Sequence, residues 1–306
     1  MLNAPIVIGA TRLVAGLREL ADSYDVILCD VWGVVHDGRA AFAPACAALM
    51  RFRSLGGSVA LVTNSPRPRR PIFAQLAGLG VPRGAFDVLV TSGDVTLSFM
   101  AERGEAPVRH IGPERDLALF EALRESSGLA PLRTDLASAE YVVCTGLDRD
   151  ESETPDDYTI ELTQMRARSL DFVCANPDLV VHVGDRLIFC AGALAQRYEQ
   201  MGGRVLQAGK PHRPIYERAL EETAACRGAS LDRKRVLAIG DAMRTDIRGA
   251  QDAGLDALFI TSGIHRAELH PKHASDREAA LDVASLEQFL NGAASAPKAA
   301  AARLCW

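Results

Sequence analysis

Short, continuously apolar segments that end on a polar residue recur along this chain. The predicted strands cover residues 26–30, 58–63, 87–91, 235–240 and 257–261. Apolar runs that do not alternate with polar residues indicate strands covered on both faces, as in a parallel sheet with helical connections. Amphipathic segments that begin near Pro44, Pro71 and Pro214 supply those helices. The sequence therefore predicts an α/β fold, with a Rossmann-like, doubly wound parallel sheet as its core.

A second alternating series of strand and helix patterns lies between residues 107 and 204. Its predicted strands cover residues 108–111, 141–145 and 172–175, with helices from Glu114 and over residues 155–168. We interpret it as a separate α/β module inserted into the first. The predicted division assigns residues 1–105 and 205–306 to the core and 106–204 to the module. Residues 295–306 are expected to form a disordered tail, from which Leu304, Cys305 and Trp306 could dock.

Composition narrows the class of protein. The chain has 306 residues, 48% of them hydrophobic, which is enough for two domains with sizeable cores. Its 34 Lys and Arg against 39 Asp and Glu do not favour nucleic acid as a partner. No run approaches the roughly 18 apolar residues of a membrane span, and Met1 to Pro5 show no basic leader. The seven scattered cysteines are typical of thiols in a reducing compartment. We expect a cytoplasmic protein without a membrane partner.

Polar residues suited to one kind of chemistry stand at the ends of predicted strands. Asp30, Thr63 and Asp241 each end such a strand. In a parallel sheet these ends share one edge, and ligands bind there where the strand order reverses. Lys210 and Asp246 add an ammonium group and a further carboxylate. This set of groups suits phosphoryl transfer with Mg²⁺, a hard cation that prefers oxygen ligands.

Four segments, in order, resemble the four motifs of the haloacid dehalogenase-like (HAD) phosphohydrolases. They cover residues 26–34, 61–65 and 209–211, and then 239–241 with 245–246. The resemblance extends over nearly the whole chain and is sharpest to the class IIA branch, the relatives of NagD and of 4-nitrophenylphosphatases. That branch inserts an α/β cap of the C2 type between the second and third motifs. It also carries Gly-Lys-Pro, here residues 209–211, and Ala-Asn-Pro-Asp, here residues 175–178.

The resemblance implies a Mg²⁺-dependent phosphohydrolase. Asp30 would be the nucleophile that forms an aspartyl-phosphate. Asp30, Asp241 and the main-chain carbonyl of Trp32 would hold the metal. Asp246 would hold metal-bound water or orient Lys210.

The resemblance also implies a small phosphorylated molecule as the substrate. Thr63, with Asn64 and Ser65 beside it, would bind the phosphate, and Lys210 would supply positive charge to it. In the cap, Asn176 and Asp178 are either substrate contacts or parts of a tight Asn-Pro turn, and the sequence leaves both open. A homodimer formed through the cap is a further expectation.

One departure from the family pattern concerns the second residue after the nucleophile. Most phosphatases of the superfamily have an Asp there, which protonates the leaving oxygen and later activates water, but this chain has Trp32. An indole has one N–H donor and no acceptor, so it cannot act as that acid and base. Loss of such a group costs about 10² to 10⁴ in rate. We therefore expect slow hydrolysis of alkyl phosphates and better activity on esters with acidic leaving groups.

Nearby residues offer substitutes for the missing acid and further contacts for the substrate. His36 or Asp37, in the flap after the first motif, could take over the acid's role, although we favour a loop role for His36. Arg67, Arg69 and Arg70 could bind a second anionic group of the substrate, although we favour a solvated loop.

Two other functions remain open. The first is a catalytically impaired protein that binds a phosphate ligand or regulates through it, in which Trp32 plugs a retained site. The second is reaction at a P–C or acyl-phosphate bond. The Schiff-base form of phosphonate cleavage is disfavoured, because residues 107–204 contain no lysine.

Overall fold

The computed structural model describes residues 6–183, 186–270 and 281–306, so the predicted lack of a leader at Met1 to Pro5 lies outside the described residues. The strands are β1 (Val7–Ile8), β2 (Thr11–Leu13), β3 (Val26–Cys29), β4 (Ser58–Thr63), β5 (Val88–Thr91), β6 (Val108–Ile111), β7 (Tyr141–Cys144), β8 (Asp171–Cys174), β9 (Val180–Val183), β10 (Arg186–Phe189), β11 (Val205–Gln207), β12 (Val236–Gly240), β13 (Asp256–Ile260) and β14 (Ala299–Ala301).

The α-helices are α1 (Arg18–Ala21), α2 (Ala43–Ser54), α3 (Arg69–Gly78), α4 (Ser92–Ala101), α5 (Ala118–Ser127), α6 (Thr159–Ala167), α7 (Ala191–Gln200), α8 (Arg213–Arg227), α9 (Arg248–Asp252), α10 (Arg266–Leu269) and α11 (Val283–Asn291). A π-helical turn covers Met243–Ile247, and 3₁₀ turns cover Arg83–Ala85, Glu114–Asp116, Pro155–Tyr158 and Arg233–Arg235. Among the described helices, none combines the length and apolarity that crossing a bilayer requires.

The chain forms two compact units. The first unit takes Met1–Thr63, Phe73–Val90 and Tyr216–Trp306, and the second takes Asn64–Ile72 and Thr91–Ile215. The second unit therefore extends beyond residues 106–204 on both sides and includes the loop after β4. The division at residues 106 and 204 stays a prediction.

In the part of the chain that the structure describes, the strand order of the main sheet is β1-β2-β14-β13-β12-β3-β4-β5. β3 pairs in parallel with β4 and with β12, and β13 pairs in parallel with β12 and with β14, whereas β1 and β2 are antiparallel. Every residue of β3 and β12 is buried, as expected for central parallel strands covered on both faces. The chain moves outward from β3 to β4 and β5 on one side, and from β12 to β13 and β14 on the other. The strand order thus reverses between β3 and β12, which confirms the predicted doubly wound α/β fold.

The second unit has its own parallel sheet, in the order β11-β8-β7-β6, and an antiparallel hairpin of β9 and β10. Successive residues of β7 point to opposite faces of this sheet. Tyr141 and Val143 pack in one apolar cluster with Met100, whereas Val142 and Cys144 pack in another with other buried side chains. Helices therefore cover both faces, which explains the continuous apolar run.

The predicted helices form, with shifted boundaries. α3 begins at Arg69, two residues before Pro71, because the carboxylate of Asp94 accepts the Arg69 N–H at 3.2 Å and satisfies a first-turn donor. The helix predicted over residues 155–168 is a 3₁₀ turn over Pro155–Tyr158 followed by α6.

The expectation of a disordered tail at residues 295–306 is wrong. Within this segment, β14 inserts between β13 and β2, with Leu258 opposite Ala299 and Arg12 opposite the same alanine. All three alanines of β14 are at most 2% exposed. The alanine-rich sequence forms a strand here because two neighbouring strands supply its hydrogen bonds and small side chains fit between the covering layers.

Candidate active site

Three buried carboxylates meet at the carboxyl edge of the main sheet, where the strand order reverses. Asp30 directly follows β3, Asp241 directly follows β12, and Asp246 lies in the π-helical turn after β12. One oxygen of each lies within 4.8 Å of the other two. The ends of the two strands are in register, because the Asp30 N–H donates to the carbonyl of Ile239 at 2.8 Å. The pairing of β3 with β12 therefore places the first two carboxylates side by side.

Main-chain atoms of two loops, the one after β3 and the one after β13, pack against the Asp241 carboxylate. Its Oδ2 accepts the Ile264 N–H at 2.8 Å. Gly33 and Gly263 lie so close that a Cβ on either would overlap this carboxylate. Gly33 also has a φ of 83°, which side-chain-bearing residues rarely adopt. Glycine at both positions thus allows the close approach that fixes Asp241.

The contribution of the loop after β13 was missed by sequence reasoning. Gly263 and Ile264 contact Asp241 from this loop, yet neither residue is itself a candidate for catalysis. The available signal was the Ser-Gly pair just after the predicted strand over residues 257–261. That strand ends at the same edge as Asp30 and Asp241, so its following loop was a candidate to reach them.

Asp246 shapes the loop that carries Asp241. Its Oδ2 accepts the N–H groups of Asp241 at 3.2 Å and Ala242 at 3.1 Å. The Tyr216 hydroxyl, lying within 3.3 Å of the carbonyls of Thr245 and Asp246, holds the π-helical turn from the other side. Asp246 therefore belongs to the acidic cluster and also fixes the main chain of its neighbour.

The cluster fits a divalent cation of the Mg²⁺ type. Asp30 is 8% exposed, and Asp241 and Asp246 are each 5% exposed. Buried carboxylates are normally paired or bind a cation, and an all-oxygen set is the kind that Mg²⁺ prefers. Trp32, whose main-chain carbonyl was the other predicted ligand, follows Asp30 in the same loop.

The Trp32 side chain is 41% exposed and meets the ring of His36 edge-on, with 6.5 Å between the ring centroids. His36 is 3% exposed, and its Nδ1 accepts the Gly38 N–H at 3.0 Å. Burial lowers the pKa of His36, although the nearby Asp37 opposes this. These contacts give His36 a structural role in the flap.

In the second unit, the Asn64 side chain binds the main chain of Lys210. Its Oδ1 accepts the Lys210 N–H at 2.7 Å, and its Nδ2 donates to the Lys210 carbonyl at 3.0 Å and to Asp178 at 2.9 Å. Both amide hydrogens of Asn64 are therefore used within the chain, and its contact with phosphate stays a prediction. A Cβ on Gly209 would overlap Oδ1 of Asn64, which explains the glycine before Lys210.

The remaining predicted phosphate-binding and substrate-binding residues have different local structures. Asn176 is 8% exposed, and its Oδ1 accepts the Asp178 N–H at 3.1 Å, the geometry of a tight Asx turn. The Ser65 carbonyl accepts the Gly93 N–H at 3.0 Å. Thr63 is the last residue of β4 and is half-buried.

The three arginines after the second motif differ in environment. Arg69 forms an ion pair with Asp94 at 3.1 Å, and the exposed Arg70 reaches Glu125 only at 3.7 Å. Arg67 is half-buried: burial lowers the pKa of its guanidinium, whereas Asp116 raises it. Arg70 is therefore solvated as expected, but it lies with Arg69 in the first turn of α3 rather than in a loop.

A buried polar group at the carboxyl ends of β6 and β7 was also missed. His110 Nε2 lies 3.0 Å from the Thr145 hydroxyl, and both side chains are buried. Asp116 is 3% exposed, and burial raises its pKa while Arg115 and Thr145 lower it. These residue types carry no distinctive spacing, because three separate elements bring them together.

Comparison with known proteins places this geometry in a family. The chain matches the family described as Haloacid dehalogenase-like hydrolase over residues 27–124, and the one described as HAD-hydrolase-like over residues 207–288. A crystal structure of a haloacid dehalogenase-like hydrolase from Brucella suis 1330 is 49% identical, with a TM-score of 0.81, and the match covers 95% of this chain and 100% of that one.

Two curated relatives are phosphatases by name. The 5'-nucleotidase YutF of Bacillus subtilis (strain 168) is 25% identical over 83% of this chain and 96% of its own length. The ribonucleotide monophosphatase NagD of Escherichia coli (strain K12) is 26% identical over 78% of this chain and 88% of its own length. The resemblance to NagD is thereby confirmed at the level of sequence similarity.

Proposed function

Because the chain belongs to the haloacid dehalogenase-like hydrolase family, we propose that it is a phosphoric monoester hydrolase that uses Mg²⁺ and acts on a small phosphorylated metabolite. The observation that carries this proposal is the cluster of Asp30, Asp241 and Asp246 at the point where the strand order of the main sheet reverses. The phosphatase names of the two curated relatives support the reaction class.

Asp30 is the proposed nucleophile. Its carboxylate attacks phosphorus, the ester P–O bond breaks, and the leaving oxygen departs with the bonding electrons, which yields an aspartyl-phosphate. Water then hydrolyses this intermediate to phosphate and regenerates Asp30. When bound, Mg²⁺ would supply positive charge that offsets repulsion between the carboxylate and the phosphate. Asp241 and Asp246 provide further carboxylate ligands.

Lys210 and Thr63 receive their proposed roles from their positions in the third and second motifs. Lys210 is 4% exposed, and Asn64 fixes its main chain on both sides. We propose that its ammonium group stabilises the negative charge of the transferred phosphoryl group. Thr63 is assigned a hydroxyl donor role toward a phosphate oxygen.

The proposed turnover is slow on alkyl phosphates. Trp32 stands where the general acid and base would be, and an indole cannot exchange protons with the leaving group or with water. When the departing alcohol or phenol is acidic, its oxygen can leave without being protonated. We therefore expect faster turnover of esters of this kind.

Phosphate release by purified protein tests the proposal. We expect Mg²⁺-dependent release that Asp30→Asn abolishes, because an amide is not a nucleophile toward phosphorus. Asp252→Asn is the matched control, since Asp252 is exposed and pairs with the exposed Arg248 in α9. Release that persists in Asp30→Asn at the wild-type rate would overturn the proposal.

The alternative is a protein that binds a phosphate ligand without efficient turnover. Its motivation is Trp32, here a half-exposed side chain next to Gly33 and Asp30. A rise in melting temperature with beryllofluoride and Mg²⁺, together with no phosphate release from any of a broad set of esters, would favour this alternative.

A homodimer through the second unit is a separate part of the proposal. Ile160 and Leu132, both in this unit, are 74% and 68% exposed. Light scattering on the purified protein decides the point: a mass of one chain at micromolar concentration would reject the dimer.

A further inference from the structure

A pocket of about 440 Å³ opens in the first unit beside the acidic cluster. Its apolar wall includes Trp32, Phe42 and Leu304, and its charged wall includes Arg266 and Arg303. The volume is in the range of ordinary small-molecule sites. We refer to it as the Trp32 pocket.

Two glycines border both the Trp32 pocket and the Asp241 carboxylate. Gly33 and Gly263 line the pocket, and the same two residues pack against the Asp241 carboxylate. Ile260, at the end of β13, also lines it, so the pocket lies at the carboxyl edge of the main sheet. A molecule in the pocket would therefore lie beside the acidic cluster.

The walls of the pocket suit a flat aromatic ring. Trp32 leaves 41% of its surface exposed. An exposed indole next to Phe42 offers ring edges and faces, and aromatic rings gain from such partners beyond simple burial.

The charges at the pocket favour an anion. Arg266 and Arg303 contribute two guanidinium groups, which bind carboxylates in a planar, two-pronged geometry. Asp37 also lines the pocket, but its Oδ1 accepts the N–H groups of Arg39 at 2.9 Å and Ala40 at 3.0 Å. Within the described part of the chain, no carboxylate lies within ion-pair distance of the exposed Arg303. The lining therefore carries two guanidinium groups and one carboxylate.

We propose that the Trp32 pocket binds the organic part of the substrate, and that this part is an aromatic ring with a second negative charge. The assignment to a substrate rests on the proposed function, whereas binding of such a ring to the pocket does not. An aryl phosphate also fits the absent general acid. When the P–O bond breaks, the electron pair stays on an aryl oxygen that is stable as a phenolate, and solvent protonates it later.

Fluorescence provides a direct binding test, because Trp32 and Trp306 are the two tryptophans of the chain. In Trp306→Phe, Trp32 remains as the reporter. We expect naphthalene-2-carboxylate to change its emission saturably. Naphthalene-2-methanol, which lacks the charge, and decahydronaphthalene-2-carboxylate, which lacks the aromatic ring, should each bind at least fivefold more weakly. Titration calorimetry with the unaltered chain compares the affinities for the same three compounds without relying on fluorescence.

Substitutions identify the residues responsible. We expect Arg303→Gln to weaken naphthalene-2-carboxylate binding about tenfold and Trp32→Leu about fivefold or more, both by calorimetry. Arg18→Gln is the matched control, since Arg18 is an exposed arginine in α1 and does not line the pocket. Equal affinity for the charged, neutral and saturated probes, or unchanged affinity in both pocket variants, would overturn the proposal.

Turnover separates this proposal from the proposed function. We expect kcat/KM to be higher for 4-carboxyphenyl phosphate than for phenyl phosphate. Arg303→Gln should reduce the ratio of these two kcat/KM values about tenfold. Phosphate release that requires Asp30, without binding of naphthalene-2-carboxylate, would reject the pocket and leave the proposed function intact. Binding at the pocket, with phosphate release independent of Asp30, would reject the proposed function instead.

Discussion

Both ends of the Asn64 amide bind the main chain of Lys210, 146 residues later: Oδ1 accepts the Lys210 N–H at 2.7 Å, and Nδ2 donates to the Lys210 carbonyl at 3.0 Å. The same Nδ2 donates to the carboxylate of Asp178 at 2.9 Å. One amide thus joins the loop after β4, the Asn-Pro turn and the third motif within the second unit. Asn64 is 5% exposed, so water cannot readily replace these bonds.

Asn64→Asp should lower the free energy of unfolding by about 2–3 kcal/mol. The substitution keeps the shape but removes the donor, so that a buried carboxylate faces the Lys210 carbonyl and the Asp178 carboxylate. Urea denaturation at pH 7 measures the change. Asn291→Asp is the matched control at the exposed end of α11, and its effect should stay within about 0.5 kcal/mol. Equal effects of the two substitutions would contradict this account of Asn64.

Asp246→Asn should weaken Mg²⁺ binding about 10- to 100-fold while the fold is retained. The amide oxygen can still accept the N–H groups of Asp241 and Ala242, but the charge in the cluster is lost. Titration calorimetry with Mg²⁺ measures the affinity. Asp252→Asn, which changes an exposed residue, should bind Mg²⁺ as the unaltered protein does. Wild-type affinity in Asp246→Asn would exclude this residue from the metal centre.

Gly263→Ala should reduce phosphate release about 100-fold with little loss of secondary structure. The added methyl group overlaps the Asp241 carboxylate, and a displacement of about 1 Å in a reacting group can cost about 10² in rate. Gly78→Ala is the matched control, because a Cβ there meets no neighbouring atom within 4 Å. Similar rates in the two variants would show that the contact with Gly263 does not position Asp241.

Much of the fold follows from the sequence, because local patterns determine it. The runs that end at Asp30 and Asp241 are apolar at successive positions, and the observed strands Val26–Cys29 and Val236–Gly240 bury every residue. Strand register then brings the two carboxylates together without any further information. Asp246 could be placed near them because it lies only five residues after Asp241.

The parts that the sequence does not predict depend on long-range pairing. The strand Ala299–Ala301 has neither branched side chains nor alternation, and it depends on pairing with its neighbours β13 and β2. The contact of Asn64 with Lys210 joins residues far apart in the chain, and the short run of Ser262 and Gly263 gives no sign of which carboxylate it meets. Such contacts become visible only after the sheet is assembled.

The buried imidazole of His110 should make stability depend on pH. Burial lowers the pKa of His110 to about 4, although Asp148 opposes the shift. The folded state therefore binds fewer protons than the unfolded state between about pH 6.5 and pH 4. The stabilisation is fully present above the unfolded value and is lost as the pH falls through this window, by up to about 3 kcal/mol.

His110→Gln should remove this pH dependence. Urea denaturation from pH 7.5 to pH 4 measures the free energy of unfolding of the unaltered protein and of His110→Gln at each pH. Burial raises the pKa of Asp116, which contributes with the opposite sign at the acidic end, but this contribution is common to both proteins. If the stability of the unaltered protein relative to His110→Gln does not fall as the pH falls, the lowered pKa of His110 is contradicted.

Trp32→Asp should raise kcat on alkyl phosphates, by at most about 10² to 10⁴, because a carboxyl group can protonate the leaving oxygen and then activate water. The same substitution removes the indole from the Trp32 pocket, so KM for 4-carboxyphenyl phosphate should rise. Trp32→Asn separates the two effects: it removes the indole equally but supplies no acid, so it should raise KM without raising kcat. If Trp32→Asp is no faster than the unaltered protein on any alkyl phosphate, the slow step is not proton transfer to the leaving group, and the indole at this position has another purpose.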